Sequence, residues 1–269
     1  MRLIHARDAS FGQLGASPWF VRHSAARSSG QRLFCFPYAG GSATIFRAWA
    51  ERMPATVEVI GVQAPGKGSR LLEPPYTNVH DLVDGLLDAL TPLLHEKPFS
   101  FFGHSNGALV AFELSCMLQR HRLPMPRRVF LSASPAPWAR VFDPPYSQMS
   151  DEAFKTMLKD FNGTPSEILD DVDLFQLLLP GLRADFSMSE GYRYTHPRKL
   201  AAPVDVYHGE HDDIEPALIQ AWREHIALPP RFEQVPGGHF YIHSHIDQLT
   251  DSVARRLAEA PGAYPPPPY

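Results

Sequence analysis

The chain alternates between short apolar runs and longer stretches in which apolar residues recur every three or four positions. Runs of the first kind predict β-strands, and stretches of the second kind predict amphipathic helices. The predicted strands cover 33–36, 57–63, 99–103, 129–133, 204–208 and 231–235, and the predicted helices cover 43–53, 78–95, 106–120, 216–227 and 245–258. Strands that alternate with helices favour an α/β fold, with a mostly parallel central sheet flanked by helices.

This alternation breaks between Trp138 and His196, where helical patterns follow one another with no strand between them. Apolar residues recur there in two groups, Phe154, Met157, Leu158 and Phe161, then Leu174, Phe175, Leu178, Leu179 and Leu182. Pro180 lies within the second group and is expected to kink its helix. The segment at about 138–196 therefore predicts a helical lid, with most of these side chains packing the lid on the body.

The same patterns define the limits of the domain. One α/β domain is expected over residues 18–258, because the chain is long enough for one large domain with an insertion. The ends, 1–17 and 259–269, show no such pattern, and the second is rich in proline. Both ends are expected to be flexible.

A serine occupies the turn between a predicted strand and a predicted helix. Ser105 is the centre of the pentapeptide Gly-His-Ser-Asn-Gly at 103–107, which follows the strand 99–103 and leads into the helix 106–120. This is the pattern of a nucleophile elbow, in which a strained turn presents a serine hydroxyl above the sheet. The flanking glycines let the strand and the helix approach closely. Ser105 is therefore the candidate nucleophile.

An acid and a histidine follow Ser105 in the order that serine hydrolases with such an elbow require. Asp212 lies in the turn after the strand 204–208, and His239 lies in the loop after the strand 231–235. His239 is predicted to take the proton of Ser105, with Asp212 holding the imidazole in the required tautomer. Asp213 is the alternative acid, but the Gly-x-x-Asp spacing favours Asp212.

The histidines near the carboxyl end allow another interpretation, a metal cluster. Its members would be His208, His211, His239, His243 and His245. The chain contains neither His-Glu-x-x-His nor Cys-x-x-Cys, which are the usual zinc motifs, and the elbow already accounts for His239. We therefore predict no metal site, and we expect His243 and His245 to lie on the surface or to cap the last helix.

A glycine-rich loop follows the first predicted strand. The sequence from Pro37 to Ala43 contains two adjacent glycines, which let the backbone turn and direct its amides into a site. Acyl transfer needs such donors for the oxyanion, one from this loop and one from the residue after the nucleophile. The backbone amides of Ala39 and Asn106 are the predicted oxyanion hole.

Five segments together carry a resemblance to a known family. They are Phe36-Pro37-Tyr38-Ala39-Gly40-Gly41-Ser42-Ala43, Gln63-Ala64-Pro65-Gly66, Phe102-Gly103-His104-Ser105, Leu182-Arg183-Ala184-Asp185-Phe186 and Pro236-Gly237-Gly238-His239-Phe240. In this order they resemble the type II, or editing, thioesterases of nonribosomal peptide and polyketide synthases, which have the α/β-hydrolase fold. The chain departs from that family at Asn106, where the family has methionine, and at 67–70, which is less charged than usual.

This resemblance implies a function. The enzyme would hydrolyse acyl thioesters from the phosphopantetheine arm of an acyl or peptidyl carrier protein, so phosphopantetheine belongs to the substrate and the enzyme has no cofactor. Basic residues such as Lys67, Arg70 and Arg183 could face an acidic carrier. Two other functions remain open, a generic carboxylesterase or lipase and a non-catalytic carrier-protein docking module. The family segments speak against the first, and the intact Ser105, Asp212 and His239 speak against the second.

Composition narrows the cellular context. The formal net charge of −4, without a basic run, argues against nucleic acid as the main partner. No segment approaches the roughly 20 apolar residues of a membrane span, and the first residues lack the apolar stretch of a signal peptide. Cys35 and Cys116 each lie on a predicted core element, which predicts buried free thiols. A cytoplasmic enzyme is expected.

Overall fold

A seven-stranded sheet forms the centre of the protein in a computed structural model that describes residues 17–23, 30–139 and 144–259. The strands are β1 (Phe20–Arg22), β2 (Gln31–Phe36), β3 (Val57–Val62), β4 (Phe99–His104), β5 (Val129–Ser132), β6 (Val204–Gly209) and β7 (Arg231–Val235). Their spatial order is β1-β3-β2-β4-β5-β6-β7, and only the β1–β3 pair is antiparallel. The prediction of a mostly parallel sheet is confirmed.

Helices connect the strands. They are α1 (Arg47–Ala50), α2 (Val79–Leu90), α3 (Asn106–Arg120), α4 (Asp151–Phe161), α5 (Ser166–Asp170), α6 (Val172–Gly191), α7 (Pro216–Gln220), α8 (Tyr241–Ser244) and α9 (Ile246–Ala258). Three helices predicted from the sequence are shorter than expected, because short 3₁₀ segments at Ala43–Phe46, Thr91–Leu93 and Ala221–Glu224 replace part of each. At the end of α2 the cause is Pro92, which lacks an N–H and clashes with the preceding turn of an α-helix.

Both faces of the sheet are covered. Along β2, Leu33 and Cys35 belong to the apolar cluster that includes side chains of α1 and α9, whereas Phe34 and Phe36 belong to the cluster on the side of α2 and α3. Burial on both faces explains why the central strands read as continuous apolar runs instead of alternating ones. The two thiols, Cys35 and Cys116, are free and buried, as predicted.

Strand β1 was not predicted from the sequence. This strand has only three residues, pairs with one neighbour and lies at the edge of the sheet, with Phe20 opposite Val62. Three residues are too few to show an alternating pattern, so only tertiary pairing identifies the strand. Its single buried side chain is Phe20, which packs edge-on against Phe34.

Helices α4, α5 and α6 occupy the segment predicted as a lid. Their apolar side chains form a separate cluster made of Phe154, Leu158, Leu169, Phe175, Leu179 and Leu182. The expectation that most of these residues pack on the body was wrong, since α4 and α5 fold back on the first part of α6 and cover its apolar side. Further along α6, Met188 joins the core of the body.

The segment that follows α6 is hydrogen-bonded to a buried carboxylate on α3. Glu113, fully buried, accepts hydrogen bonds from the Tyr192 hydroxyl at 2.9 Å and from His196 Nε2 at 2.8 Å. Burial alone would raise the pKa of the Glu113 carboxyl, but hydrogen bonds from His196 and Tyr192 hold that pKa below its usual value. The end of the lid is thus bonded to the helix that begins after Ser105.

The predicted flexible ends fall almost entirely outside the described residues. Glu259 is the exception at the carboxyl end. Its carboxylate accepts hydrogen bonds from Arg128 at 3.0 Å, Arg231 at 2.7 Å and Arg256 at 2.9 Å. Within the described part of the chain, no helix has the length and apolar character needed to cross a membrane.

Candidate active site

The predicted site residues meet at one edge of the sheet. Ser105 directly follows β4, Asp212 lies three residues after β6, and His239 lies four residues after β7. Because these strands are parallel, their carboxyl ends lie on the same edge, which is where open α/β sheets place their sites.

Ser105 has an unusual backbone conformation. Its φ is 54° and its ψ is −116°, a combination that residues with a Cβ rarely adopt. A Cβ on Gly103 would lie 2.0 Å from the carbonyl oxygen of Gly107, and a Cβ on Gly107 would lie 2.0 Å from that of Phe36. The two glycines therefore allow α3 to begin against the ends of β4 and β2, with Ser105 raised at the turn.

Gly107→Ala is expected to lower both stability and activity, because the obstructing atoms belong to the backbone of β2. Overpacking of this kind costs about 1–3 kcal/mol, and more where the backbone must move. Chemical denaturation and kcat on a small thioester measure the two effects. Gly191→Ala is the matched control, since no atom lies within 4 Å of the added Cβ. Equal stability of the two variants would contradict the close approach of α3 and β2.

The structure brings Ser105, His239 and Asp212 together in one hydrogen-bonded chain. Nε2 of His239 lies 3.1 Å from Oγ of Ser105, and Nδ1 lies 3.0 Å and 3.2 Å from the two carboxylate oxygens of Asp212. The side chain of Asp212 is 4% exposed, whereas Asp213 is exposed. This arrangement can move a proton from the hydroxyl to the imidazole while a buried carboxylate stabilises the resulting positive charge.

Close contact between two loops sets the distance from Asp212 to His239. A Cβ on Gly209 would lie 2.7 Å from the carbonyl oxygen of Gly237, so only glycine lets the loops after β6 and β7 approach this closely. Backbone bonds fasten them: the Glu210 N–H donates to the Val235 carbonyl at 2.8 Å, and the His211 N–H donates to the Gly237 carbonyl at 3.0 Å.

The two predicted oxyanion donors lie on neighbouring elements. Ala39 is in the loop after β2, and Asn106 is the first residue of α3. Among the residues that the structure describes, neither backbone N–H is bonded to an acceptor. Two unbonded amides beside a nucleophile fit an oxyanion hole, in which the donors are satisfied when the negative charge develops.

A second chain of hydrogen bonds ends at the backbone carbonyl of His239. His104 is fully buried. The pKa of its imidazole is held well below the usual range, mainly by burial and to a smaller extent by the nearby His239. Its Nε2 donates to the His239 carbonyl at 2.9 Å, because a carbonyl can only accept. Nδ1 of the neutral ring must then accept from the Ser132 hydroxyl at 2.9 Å, and Ser132 accepts from the Tyr241 hydroxyl at 2.6 Å. This chain fixes the backbone of His239.

The segment predicted as a lid touches the loops of the site at two places. A Cβ on Gly163, between α4 and α5, would lie 2.1 Å from the ring of Phe240, the residue after His239. A Cβ on Gly40, the residue after Ala39, would lie 2.8 Å from a methyl carbon of Leu182 on α6. The lid therefore contacts both the histidine loop and the loop that carries Ala39.

A cavity opens beside Asn106, between the body and α6. Its empty space is about 440 Å³, a volume that includes open solvent at its mouth. Its walls are mostly apolar and include Phe36, Val62, Leu82, Leu86, Val110 and Met188, while Asn106, Lys67 and Asp185 supply polar atoms. An apolar cavity with a few polar groups at one end is typical of a small-ligand site.

The basic residues considered for carrier contact have partners within the chain. Lys67 pairs with Asp185, Arg70 with Glu73 at 2.6 Å, and Arg183 with Asp151 at 2.6 Å. The guanidinium of Arg70 also stacks on the ring of Trp19, and that of Arg183 stacks on Phe154. A carrier could engage these cations only by displacing contacts that already exist.

Sequence reasoning did not assign roles to His104 and Asp185. His104 lies within the elbow pentapeptide at the buried end of β4, and a buried polar side chain needs a partner. Asp185 lies within one of the five family segments, on a helix whose other signals were apolar. Both residues were visible in the motifs, but the bonds of His104 to His239 and of Asp185 to Gly40 span 135 and 145 residues of the chain.

The sheet order, the serine turn after β4 and the acid and histidine after later strands define an enzyme of the α/β-hydrolase fold. A family model described as a thioesterase domain matches residues 31–259. The chain therefore belongs to the thioesterase family and is a hydrolase of thioesters.

Individual relatives agree with this assignment. The chain is 33% identical to gramicidin S biosynthesis protein GrsT of Aneurinibacillus migulanus, over 89% of this chain and 93% of that protein. It is 33% identical to thioesterase PikA5 of Streptomyces venezuelae, over 91% of this chain and 87% of that protein. The solved structure of the type II thioesterase BorB from the borrelidin biosynthetic cluster superposes with a TM-score of 0.80 at 32% identity, over 89% of this chain and 97% of BorB. The predicted resemblance to type II thioesterases is confirmed.

Proposed function

We propose that this protein is an editing thioesterase that removes acyl groups from the phosphopantetheine arm of carrier proteins, with Ser105, His239 and Asp212 as its catalytic triad. The observation that carries this proposal is the continuous chain from Asp212 through His239 to Ser105, in a member of the thioesterase family.

In the acylation step, Oγ of Ser105 attacks the thioester carbonyl while Nε2 of His239 takes the hydroxyl proton. The carbonyl oxygen becomes an oxyanion, and the backbone amides of Ala39 and Asn106 donate to it. Asp212 accepts from Nδ1 of His239 and stabilises the imidazolium. The C–S bond then breaks, Nε2 of His239 gives its proton to the departing sulfur, and the acyl group stays on Ser105.

The departure of the thiol and the hydrolysis of the acyl-enzyme need no residues beyond those already named. A thiol has a pKa of about 8.5, so its thiolate departs with less protonation than an amine requires. Water then enters, gives its proton to His239 and attacks the acyl-enzyme, which releases the carboxylic acid and restores Ser105. No cofactor of the enzyme takes part, because phosphopantetheine arrives with the substrate.

The cavity beside Asn106 is the proposed site for the acyl group. Its lining includes Asn106 and Tyr38, the residue before Ala39, and its apolar walls suit a hydrocarbon chain. The side-chain amide of Asn106 donates one N–H to the backbone carbonyl of Asp185 at 2.6 Å, which holds this side chain at the wall of the cavity.

A carrier protein is the proposed partner. GrsT is named for gramicidin S biosynthesis and BorB comes from a borrelidin cluster, and these relatives support the same kind of substrate for this chain. Four of the five large apolar side chains that are exposed in the described residues lie in the lid: Phe161, Val172, Leu174 and Leu177. An apolar surface of this kind supports a protein partner at the lid.

The test compares one acyl group on three donors: a phosphopantetheinylated carrier protein, free pantetheine and an oxygen ester. We expect a higher kcat/KM for the carrier, because its surface contributes binding energy that a truncated substrate lacks. The preference should persist at high salt, since Lys67, Arg70 and Arg183 are already paired within the chain. Equal kcat/KM on carrier and pantetheine at low salt would contradict carrier recognition, and a preference for the oxygen ester would favour a carboxylesterase.

A further inference from the structure

Asp185, on the lid helix α6, touches both elements that carry the proposed oxyanion donors. Its carboxylate accepts a hydrogen bond from the Gly40 N–H at 2.6 Å, in the loop that contains Ala39. Its backbone carbonyl accepts from the side-chain amide of Asn106 at 2.6 Å. The proposed catalytic chain of Ser105, His239 and Asp212 makes no use of Asp185.

The carboxylate of Asp185 is held in place by its own partners. It is 6% exposed and forms an ion pair with the ammonium of Lys67. Lys67 also lies 3.4 Å from the carbonyl oxygen of Gly181, one turn earlier on α6. A buried carboxylate with a cation and an N–H donor is compensated, so its position is well determined.

Planarity of the peptide bond links this contact to Ala39. The N–H of Ala39 and the carbonyl of Tyr38 belong to one peptide plane and point in opposite directions. The Gly41 N–H donates a hydrogen bond to that carbonyl at 2.9 Å. The next peptide plane contains the Gly40 N–H, which donates to the carboxylate of Asp185. With both planes fixed, the direction of the Ala39 N–H is fixed as well.

A glycine conformation makes this arrangement possible. Gly40 has a φ of 82°, in the region that favours glycine, and Leu182 of α6 packs directly against it. The helix therefore meets the loop through an apolar contact as well as a charged one. Helix α6 and the loop of Ala39 are thus held against each other by both contacts.

We propose that Asp185 is a positioning residue for the oxyanion hole, so that the hole is complete only while α6 is seated on the loop of Ala39. This inference rests on the proposed function, in which Ala39 and Asn106 stabilise the oxyanion. The lid then does more than cover the substrate, because one of its carboxylates orients a donor that acts on the reacting carbonyl.

Asp185→Ala and Asp185→Asn test this role, with Asp173→Asn as the control, an exposed carboxylate on the same helix. On a pantetheine thioester, Asp185→Ala is expected to lower kcat about 100-fold, the cost of a small misplacement in an active site, with KM nearly unchanged. Asp185→Asn should show a smaller loss of kcat, because its amide oxygen still accepts from Gly40. Asp173→Asn should match the wild type.

A phenylboronic acid provides a readout that a purely structural role would not affect. Its boron accepts electrons from Oγ of Ser105, the hydroxyl proton passes to His239, and the adduct is a tetrahedral anion whose oxygen occupies the oxyanion hole. We expect the inhibition constant of this acid to rise in each variant in proportion to the loss of kcat/KM. Binding of the product carboxylic acid should change much less.

Three outcomes would overturn the proposal. The first is unchanged kcat and boronate inhibition in Asp185→Ala together with a lower Tm, which would show a structural role only. The second is recovery of wild-type kcat in Asp185→Ala/Lys67→Met, because the loss in Asp185→Ala would then come from the unpaired charge of Lys67. The third is failure of the boronic acid to inhibit a wild-type enzyme that still requires Ser105. Full activity in Ser105→Ala would instead refute the proposed function itself.

Discussion

Replacement of Ser105 by alanine should abolish turnover and leave the fold intact. Removal of a triad nucleophile lowers kcat by about 10⁶-fold, because the remaining site can only promote direct attack by water. Stability should hardly change, since Ser105 lies at a turn and makes no core contact, and alanine brings the same Cβ into the same dihedral angles. The measurements are kcat on an acyl-pantetheine and the free energy of unfolding by chemical denaturation.

The acylated intermediate provides the control for this result. Wild-type enzyme mixed with a slowly released acyl thioester should gain the mass of one acyl group, and Ser105→Ala should gain none. A variant that keeps more than about a hundredth of wild-type activity would contradict covalent catalysis by this residue, given the far larger loss expected when a triad nucleophile is removed.

Asp212→Asn should be the second most damaging change. Asparagine keeps the shape of the side chain, but its amide can donate to Nδ1 of His239 and so favour the wrong tautomer of the imidazole. The expected loss in kcat is about 10⁴-fold. The readout is kcat on the same thioester, with near-ultraviolet circular dichroism to show that the packing around the site is retained.

Asp213→Asn is the matched control, because it makes the same chemical change at the neighbouring position. Asp213 is exposed, whereas Asp212 is bonded to His239 through both oxygens. We expect Asp213→Asn to stay within about twofold of wild-type activity, as is usual for a surface substitution. If the two losses were reversed, Asp213 would be the catalytic acid and the loop after β6 would differ from the one described.

Local signals in the sequence were sufficient for six of the seven strands and for the placement of Ser105, Asp212 and His239 after three of them. Each of the six predicted strands lies in the sheet, because burial on both faces makes such strands continuously apolar. Ser105, Asp212 and His239 each follow a strand, and parallel strands bring their carboxyl ends to one edge. The order of the motifs thus carried three-dimensional information.

Features that depend on distant contacts were beyond the sequence. β1 exists only because Phe20 and its neighbours pair with β3. The lid residues looked like a stripe that packs on the body, but periodicity cannot say which surface a stripe meets, and here Phe154 and Leu179 pack within the lid. Likewise, nothing local to Asp185 or Gly40 shows that a carboxylate on one bonds the backbone of the other.

The dihedral angles of Ser105 show that a serine at this position lowers the stability of the fold. Their mirror image, φ of about −54° and ψ of about 116°, is ordinary extended backbone, so glycine would adopt the observed conformation without strain. Strain of this kind costs about 1–3 kcal/mol, a sizeable part of the 5–15 kcal/mol that separates folded from unfolded proteins. Selection for thermal robustness alone would favour glycine at this position. The strained turn is therefore the cost of a side-chain hydroxyl at this position, and the proposed chemistry depends on that hydroxyl.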